Sequence, residues 1–185
     1  MMRIKIVDIP PEGRNLDFAL PVEPLNARLD SCRLGSSESS LPAPAYTFVS
    51  CPEARLFLNL EGSTVIVTGN ALGSYKTNCS RCVEETTKQV SLPIKVVLKP
   101  HAARAQVGEE DEDLNLGFYD GQEVDCAEFV EEFLLLGLPY TVLCSNECRG
   151  LCPICGANLN YRHCSCAPAD DGDERFAMLR KLKIQ

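Results

Sequence analysis

At 185 residues, the chain is long enough to bury roughly 70% of its unfolded surface, which predicts one full hydrophobic core. Its 45% hydrophobic and 24% charged residues are ordinary for a globular protein, and no apolar run approaches the roughly 18 residues of a membrane span. The net charge of -8 argues against binding to nucleic acid mainly through phosphate neutralisation. We therefore expect no DNA partner, and any RNA contact should be local or made through a protein.

The first residues and the cysteine usage indicate the compartment. The chain begins Met-Met-Arg-Ile-Lys-Ile-Val-Asp, which is too polar for the apolar region of a secretory signal peptide, so we expect a cytoplasmic protein. In that reducing compartment, closely spaced cysteines indicate metal binding more often than disulfides. The 11 cysteines are also an odd number and cannot all pair within one chain.

Alternating apolar residues predict an antiparallel sheet in the first half of the chain. We expect a first strand over Arg3 to Ile9, whereas residues 12 to 34 show no clear pattern. Residues 34 to 45 are rich in serine and proline and are predicted to form a loop. A meander of strands is predicted to follow, with turns at Glu61-Gly62 and at Gly69-Asn70.

Two more predicted strands flank a Cys-x-x-Cys turn. Ala71 to Asn78 leads into Cys79-Ser80-Arg81-Cys82, and Thr86 to Lys99 follows with apolar residues on one face. Pro93 in the second of these strands predicts an edge position or a bulge, because proline has no N–H to donate to a neighbouring strand. Residues 101 to 117, with their run of acidic side chains, are predicted to form a loop.

One main helix is predicted to cover the sheet. Asp125 can cap its first turn and Glu128 stands three residues later, an arrangement close to a capping box. A broad apolar face follows, and Gly137-Leu138-Pro139 ends the helix. A short last helix is predicted over Asp173 to Lys183 from its helical spacing of apolar residues.

The predicted architecture is an α+β fold in two parts. Residues 1–140 form a β-rich domain, an antiparallel meander with its covering helix, and residues 141–185 form a cysteine-rich zinc-binding extension with the last helix. Cys144 to Cys166 contains six of the 11 cysteines and few apolar residues. Such a segment cannot stay ordered by burial alone, so a metal is expected to hold it.

The spacing of eight cysteines predicts up to two structural zinc sites, because four thiolates complete one tetrahedral site. The pair in Cys152-Pro-Ile-Cys155-Gly is typical of a zinc-binding turn, since its glycine permits a positive φ. We expect one site from four nearly contiguous cysteines: Cys152, Cys155, Cys164 and Cys166. The other site would clamp the sheet hairpin to the end of the main helix through Cys79, Cys82, Cys144 and Cys148. Each zinc ion could contribute on the order of 10 kcal/mol to folding.

The same cysteine spacing is compatible with several alternatives. A single site could form from other members of the six C-terminal cysteines, with Cys79 and Cys82 left as a reduced pair. His163 could replace one sulfur ligand, and Cys79-x-x-Cys82 could be a redox dithiol, although its hairpin setting offers little to lower the first thiol's pKa. Cys32, Cys51 and Cys126 have no partner at ligand spacing, and Cys126 is expected in the core.

Four segments together resemble the YceD family, whose members are known as large ribosomal RNA subunit accumulation proteins. They are the Cys79–Cys82 turn, the helix over 124–139, the motif Cys-Arg-Gly-Leu-Cys-Pro-Ile-Cys-Gly-Ala-Asn-Leu-Asn over 148–160, and the ending over 173–182. Glu174 departs from the family pattern, in which proline is common at this position. The resemblance implies a bacterial or plastid factor that is needed for normal levels of large-subunit ribosomal RNA, with no known catalytic activity.

The function predicted from these features is a non-enzymatic role in ribosome biogenesis with structural zinc. Expected partners are the precursor large ribosomal subunit, ribosomal RNA or an assembly protein. Basic residues near the cysteine-rich end either form a local RNA-facing patch or are ordinary solvated surface; they are Arg149, Arg162, Arg180, Lys181 and Lys183. The alternative is a redox or iron–sulfur protein, since four-cysteine sites also suit iron. A hydrolase or transferase is disfavoured by the two histidines and by the lack of a phosphate-binding glycine loop.

Overall fold

A mostly antiparallel sheet, built from strands with alternating apolar residues, forms the centre of the fold. The computed structural model describes residues 2–34, 45–106 and 115–166. The large sheet contains β2 (Arg14–Ala19), β3 (Thr47–Phe48), β4 (Glu53–Glu61), β5 (Thr64–Asn78), β6 (Glu85–Pro100) and β7 (Leu116–Tyr119). A separate two-stranded sheet pairs β1 (Arg3–Lys5) with β8 (Glu123–Asp125). The α-helices among the described residues are α1 (Val22–Leu34) and α2 (Cys126–Leu136), so the predicted α+β class is confirmed.

The order of the large sheet is β2-β4-β5-β6-β7, and β3 also pairs with β5. All of these pairs are antiparallel except β6 with β7, which run parallel. Alternation along each strand places one face in the core: Leu58 lies opposite Val67, which lies opposite Val96 on β6. All three side chains are buried, which is the pattern expected for a sheet with one covered face.

The predicted turn at Gly69-Asn70 is wrong, because β5 runs through both residues without a break. Gly69 pairs with Leu56 of β4 and Ile94 of β6. A Cβ atom on Gly69 would lie 2.1 Å from the backbone oxygen of Arg55. The glycine therefore permits close approach of two strands and does not mark a turn. The turn at Glu61-Gly62 lies where predicted, between β4 and β5.

Residues 12–34, which showed no clear pattern, form β2 and α1. In α1, Leu25 is fully buried, but most of the helix is polar, so the apolar periodicity is weak. Asn26 fastens this helix to β3: its Nδ2 donates to the Phe48 oxygen (3.0 Å), and the Phe48 N–H donates to its Oδ1 (2.8 Å). The predicted first strand is also shorter than expected, since a 3-10 helix begins at Ile6.

The main helix forms as predicted, and Asp125 caps it by accepting a hydrogen bond from the Ala127 N–H (3.1 Å). Its C-terminal cap is Gly137, where a Cβ would lie 2.2 Å from a Leu92 methyl carbon of β6. β7 and β8 precede this helix in the chain, and the sequence predicted neither strand. Among the described residues, β6 pairs at Pro93 only with Asn70 of β5, which is compatible with the predicted edge position.

Parts of three predictions lie outside the described residues: most of the loop at 34–45, the acidic run at 109–113, and the last helix over 173–183. The two ends of the stretch predicted as a loop at 101–117 contain the 3-10 helix His101–Gln106 and the start of β7. No helix in the described ranges is long and apolar enough to cross a membrane.

Candidate metal centre

The first cysteine cluster comprises Cys79, Cys82, Cys144 and Cys148, and it joins the turn after β5 to the segment after α2. The four Sγ atoms all lie within 4.8 Å of one another. Cys79 Sγ is 3.7 Å from Cys148 Sγ, and Cys82 Sγ is 3.6 Å from Cys144 Sγ. Three of the four residues are buried, and Leu143 packs against them. The cluster therefore connects the sheet hairpin to the end of the main helix.

Hydrogen bonds outside the thiols hold the same two segments together. The Ser80 N–H donates to the Val142 oxygen (2.8 Å), and the Val142 N–H donates to Ser80 Oγ (3.2 Å). Arg81 donates to the Cys148 oxygen (3.0 Å), and Lys88 Nζ donates to the Cys144 oxygen (3.1 Å). Because these contacts do not involve sulfur, they can position the four thiols before any ion binds.

The spacing of the thiols fits a tetrahedral zinc ion. With Zn–S bonds of about 2.3 Å, the sulfur–sulfur edges of a regular tetrahedron are about 3.8 Å long. The observed separations of 3.7 and 3.6 Å in the first cluster match this edge without rearrangement. A backbone N–H of Arg81 also donates to Cys79 Sγ (3.4 Å), and such contacts reduce the negative charge of a thiolate site.

The second cysteine cluster comprises Cys152, Cys155, Cys164 and Cys166, and its Sγ atoms also lie within 4.8 Å of one another. These residues are less buried than those of the first cluster, and Cys155 is exposed. The segment contains little regular structure apart from an isolated bridge between Leu151 and Asn158. The second cluster thus lies close to solvent and depends on its own short loop.

The two Cys-x-x-Cys turns share one backbone hydrogen-bond pattern. The N–H of the first cysteine donates to the oxygen five residues later, from Cys79 to Glu84 and from Cys152 to Ala157 (both 2.8 Å). The residue after the second cysteine donates back to the first cysteine's oxygen, at 2.9 Å in both turns. This residue has a positive φ in each case: 62° at Val83 and 71° at Gly156.

A chain of short contacts links the two clusters through Asn160. The Arg149 N–H donates to Asn160 Oδ1 (2.8 Å), and Asn160 Nδ2 donates to Cys148 Sγ (3.5 Å). The Leu159 N–H donates to the Gly150 oxygen (2.9 Å). Asn160 lies between the two ligand pairs of the second cluster but contacts a sulfur of the first. Sequence reasoning did not identify this residue, and its only signal was its place in the family-like motif.

The ionisation of the thiols differs within each cluster. Burial acts to raise the pKa of Cys79, but hydrogen bonds from Cys82, Arg81 and Cys144 outweigh it and lower that pKa to about 6. The backbone N–H groups of Cys155 and Ile154 lower the pKa of Cys152 to about 6. Hydrogen bonding to Cys155 and burial raise the pKa of Cys166 to about 12. In the first cluster, a hydrogen bond from the Glu84 N–H acts to lower the pKa of Cys82, but burial and hydrogen bonds to neighbouring thiols raise it to about 12. Each cluster therefore combines a thiol whose pKa is about 6 with a thiol that keeps its proton at neutral pH until a cation replaces it.

The eight predicted site residues fall into the two sets of four that their spacing predicted, and their ligation of zinc stays a prediction. Among the described residues, His163 belongs to neither set. Cys126 is fully buried in α2 as expected, and burial, with the Asp125 charge, raises its pKa to about 12. Cys51 is exposed and free.

Fold and site together define an α+β protein with two four-cysteine clusters that can hold metal ions. The family described as Large ribosomal RNA subunit accumulation protein YceD matches residues 67–183, which is more than half of the chain. The chain therefore belongs to the YceD family, and the predicted resemblance is confirmed. The match includes all eight clustered cysteines and gives no support to the redox alternative.

One curated relative carries the same family name. The chain is 33% identical over 64 residues to the Large ribosomal RNA subunit accumulation protein YCED homolog 1, chloroplastic, of Arabidopsis thaliana; this covers 35% of the chain and 20% of the relative. It is 29% identical over 123 residues to uncharacterized proteins of Mycobacterium tuberculosis and Mycobacterium bovis, covering 64% of the chain and 55% of each relative. The chain thus spans little more than half of the mycobacterial relatives. No solved structure matches it.

Proposed function

We propose that the protein is a non-enzymatic factor in ribosome biogenesis that supports the accumulation of large-subunit ribosomal RNA. The observation that carries this proposal is the family match over residues 67–183. The named role of the Arabidopsis relative supports it. The proposed partners are the precursor large ribosomal subunit, its RNA or an assembly protein, and the proposed site of action is the cytoplasm.

In this proposal both cysteine clusters bind structural zinc. Support comes from the thiol separations in the first cluster, which match the edges of a zinc–thiolate tetrahedron. Four protein ligands per ion leave no open position, whereas catalytic zinc usually keeps one for water or substrate. Zinc would then fasten the proposed β-rich part, residues 1–140, to the cysteine-rich part, residues 141–185.

The role can be tested by depleting the protein from cells and separating ribosomal particles on a sucrose gradient. We expect a selective loss of large subunits and their RNA, with small subunits left in excess. A matched complementation compares the wild-type chain with Cys82→Ser, which removes one ligand of the first cluster, and with Cys51→Ser, which changes a free exposed thiol. A normal gradient after depletion would contradict the proposed role.

The metal can be identified separately on the purified chain. We expect about two zinc ions per chain by elemental analysis and no visible absorption, because zinc is colourless and iron–thiolate centres are not. A visible spectrum with stoichiometric iron would contradict the zinc assignment while leaving the ribosomal role open.

A further inference from the structure

Asn160 contacts a sulfur of the first cysteine cluster and lies in the loop between the two ligand pairs of the second cluster. Its Oδ1 accepts the Arg149 N–H, which fixes the orientation of the amide, because a backbone N–H requires an acceptor. Its Nδ2 is thereby directed at Cys148 Sγ, 3.5 Å away. The side chain therefore serves as a donor to one ligand of the first cluster.

The position of Asn160 depends on the second cluster. It lies in the stretch between Cys155 and Cys164, so an ion bound by both ligand pairs closes this stretch into a loop. Hydrogen bonds also hold the loop: the Asn160 N–H donates to Asn158 Oδ1 (3.0 Å), and the Leu159 N–H donates to the Gly150 oxygen (2.9 Å). The Tyr161 and Arg162 N–H groups donate to the Asn158 oxygen, and the Tyr161 hydroxyl donates to Glu84 Oε2 (2.9 Å). The loop contains little apolar surface, so an ion that joins its two ends restrains Asn160 beyond what these hydrogen bonds supply.

The segment between the clusters also approaches the first Cys-x-x-Cys turn closely at Gly150. This residue has a φ of 74°, and a Cβ on it would lie 3.1 Å from the Arg81 oxygen in the first Cys-x-x-Cys turn. Arg81 in turn donates to the Cys148 oxygen. The segment Arg149–Leu151 between the clusters therefore contacts the first Cys-x-x-Cys turn on one side and the loop of the second cluster on the other. Through these few contacts, ordering of one cluster can order the other.

We propose that Asn160 couples the two metal sites, so that an ion in the second cluster raises the affinity of the first cluster for its own ion. Outer hydrogen bonds to metal ligands commonly change metal affinity 10–100-fold, which sets the size of the expected effect. Because coupling is reciprocal, an ion in the first cluster raises the affinity of the second by the same factor. This proposal rests on the metal binding proposed above.

The test measures Cd²⁺ affinity at each cluster of the full chain by competition with a chelator, with the two sites resolved by ¹¹³Cd NMR. Asn160→Asp keeps the acceptor for Arg149 but cannot donate to sulfur. We expect it to weaken the first cluster by about tenfold. Asn160→Ala, which removes the donor without adding charge, should weaken that cluster to a similar extent. The matched control, Asn158→Asp, adds the same charge in the same loop, keeps its acceptor, and should leave the first cluster unchanged.

The coupling itself is read from a double-mutant cycle. Cys155→Ser with Cys166→Ser removes metal binding at the second cluster, and we expect the first cluster to weaken by the same factor as in Asn160→Asp. Adding Asn160→Asp to this background should weaken it no further. If Asn160→Asp has the same effect in both backgrounds, or no effect in either, the coupling is overturned. The sucrose gradient is independent of this result, so failure of the coupling and failure of the ribosomal role are distinguishable.

Discussion

Val83 occupies a backbone conformation that suits glycine. Its φ of 62° is close to the 71° of Gly156 at the corresponding place in the other Cys-x-x-Cys turn. A left-handed conformation costs an L-residue about 1–2 kcal/mol, and valine is among the residues least suited to it. The Val83 side chain is 61% exposed, so little burial offsets this cost.

Replacing Val83 with glycine is therefore expected to stabilise the metal-loaded protein. We expect Val83→Gly to raise the free energy of unfolding by about 1 kcal/mol, because relief of strain exceeds the added entropy of the unfolded glycine. The reciprocal change, Gly156→Val, should lower it by about 1–2 kcal/mol. Urea unfolding followed by circular dichroism measures both.

Val49→Gly is the matched control, since Val49 is also exposed but its φ is not positive. We expect this substitution to leave the stability unchanged or to lower it. Equal effects of the glycine at positions 49 and 83 would show that the backbone of Val83 stores no strain.

At the scale of elements, the pairing of β4 with β5 depends on close strand packing at Gly69. We expect Gly69→Ala to lower the free energy of unfolding by about 1–3 kcal/mol, because its Cβ would overlap the Arg55 oxygen and press on Leu56. The exposed neighbour Asn70 supplies the control, and Asn70→Ala should change stability little. If Gly69→Ala does not lower the urea midpoint, β4 and β5 can move apart without any loss of stability, which would contradict this prediction.

The same elements show which parts of the fold the sequence could predict. Helix α2 was predictable because a strong apolar face lies between Asp125 as a cap and Gly137 as an end. Helix α1 was not, because its attachment depends on one amide, Asn26, bonding the backbone of β3. Gly69 was misread as a turn because glycine serves turns and close strand contacts alike.

The site was more predictable than the sheet. The spacing of the cysteines along the chain predicted the two close pairs that make up each cluster, because only thiols at such short spacing can reach the same tetrahedral ion from one turn. The supporting groups were not predictable, because Asn160 and Lys88 meet the cysteine segments only in the folded chain. The spacing along the chain was therefore enough to predict which thiols form each cluster. The groups that surround the thiols depend on tertiary contacts and could not be predicted in this way.

For the whole molecule, the depressed pKa values of Cys79 and Cys152 make stability depend on pH. Both pKa values are about 6 in the folded chain, below the roughly 8.5 of a free thiol. Stabilisation by these thiolates is complete above about 8.5 and is lost as the pH falls through about 6. Bound metal acts in the same direction, because its ligands must be deprotonated.

We therefore expect metal content to fall as the pH is lowered from 8 to 5, with the steepest loss below about 6. Equilibrium dialysis against a fixed chelator concentration, followed by metal analysis, measures this. The thermal unfolding midpoint should fall in parallel, and the metal-free chain should show a smaller dependence on pH. Constant metal content down to pH 5 would contradict the assignment of these thiols as ligands.

The clusters also differ in when each can form during protein synthesis. Cys152 and Cys166 are 14 positions apart, so the second cluster can close soon after its segment leaves the ribosome. The close thiol pairs of the first cluster are 62 and 69 positions apart, and β6, β7, β8 and α2 lie between them. Cys79 and Cys82 therefore lack the other two thiols of their cluster until the chain has been synthesised as far as Cys148. An ion in the first cluster then marks a chain whose hairpin and main helix have both reached their final places.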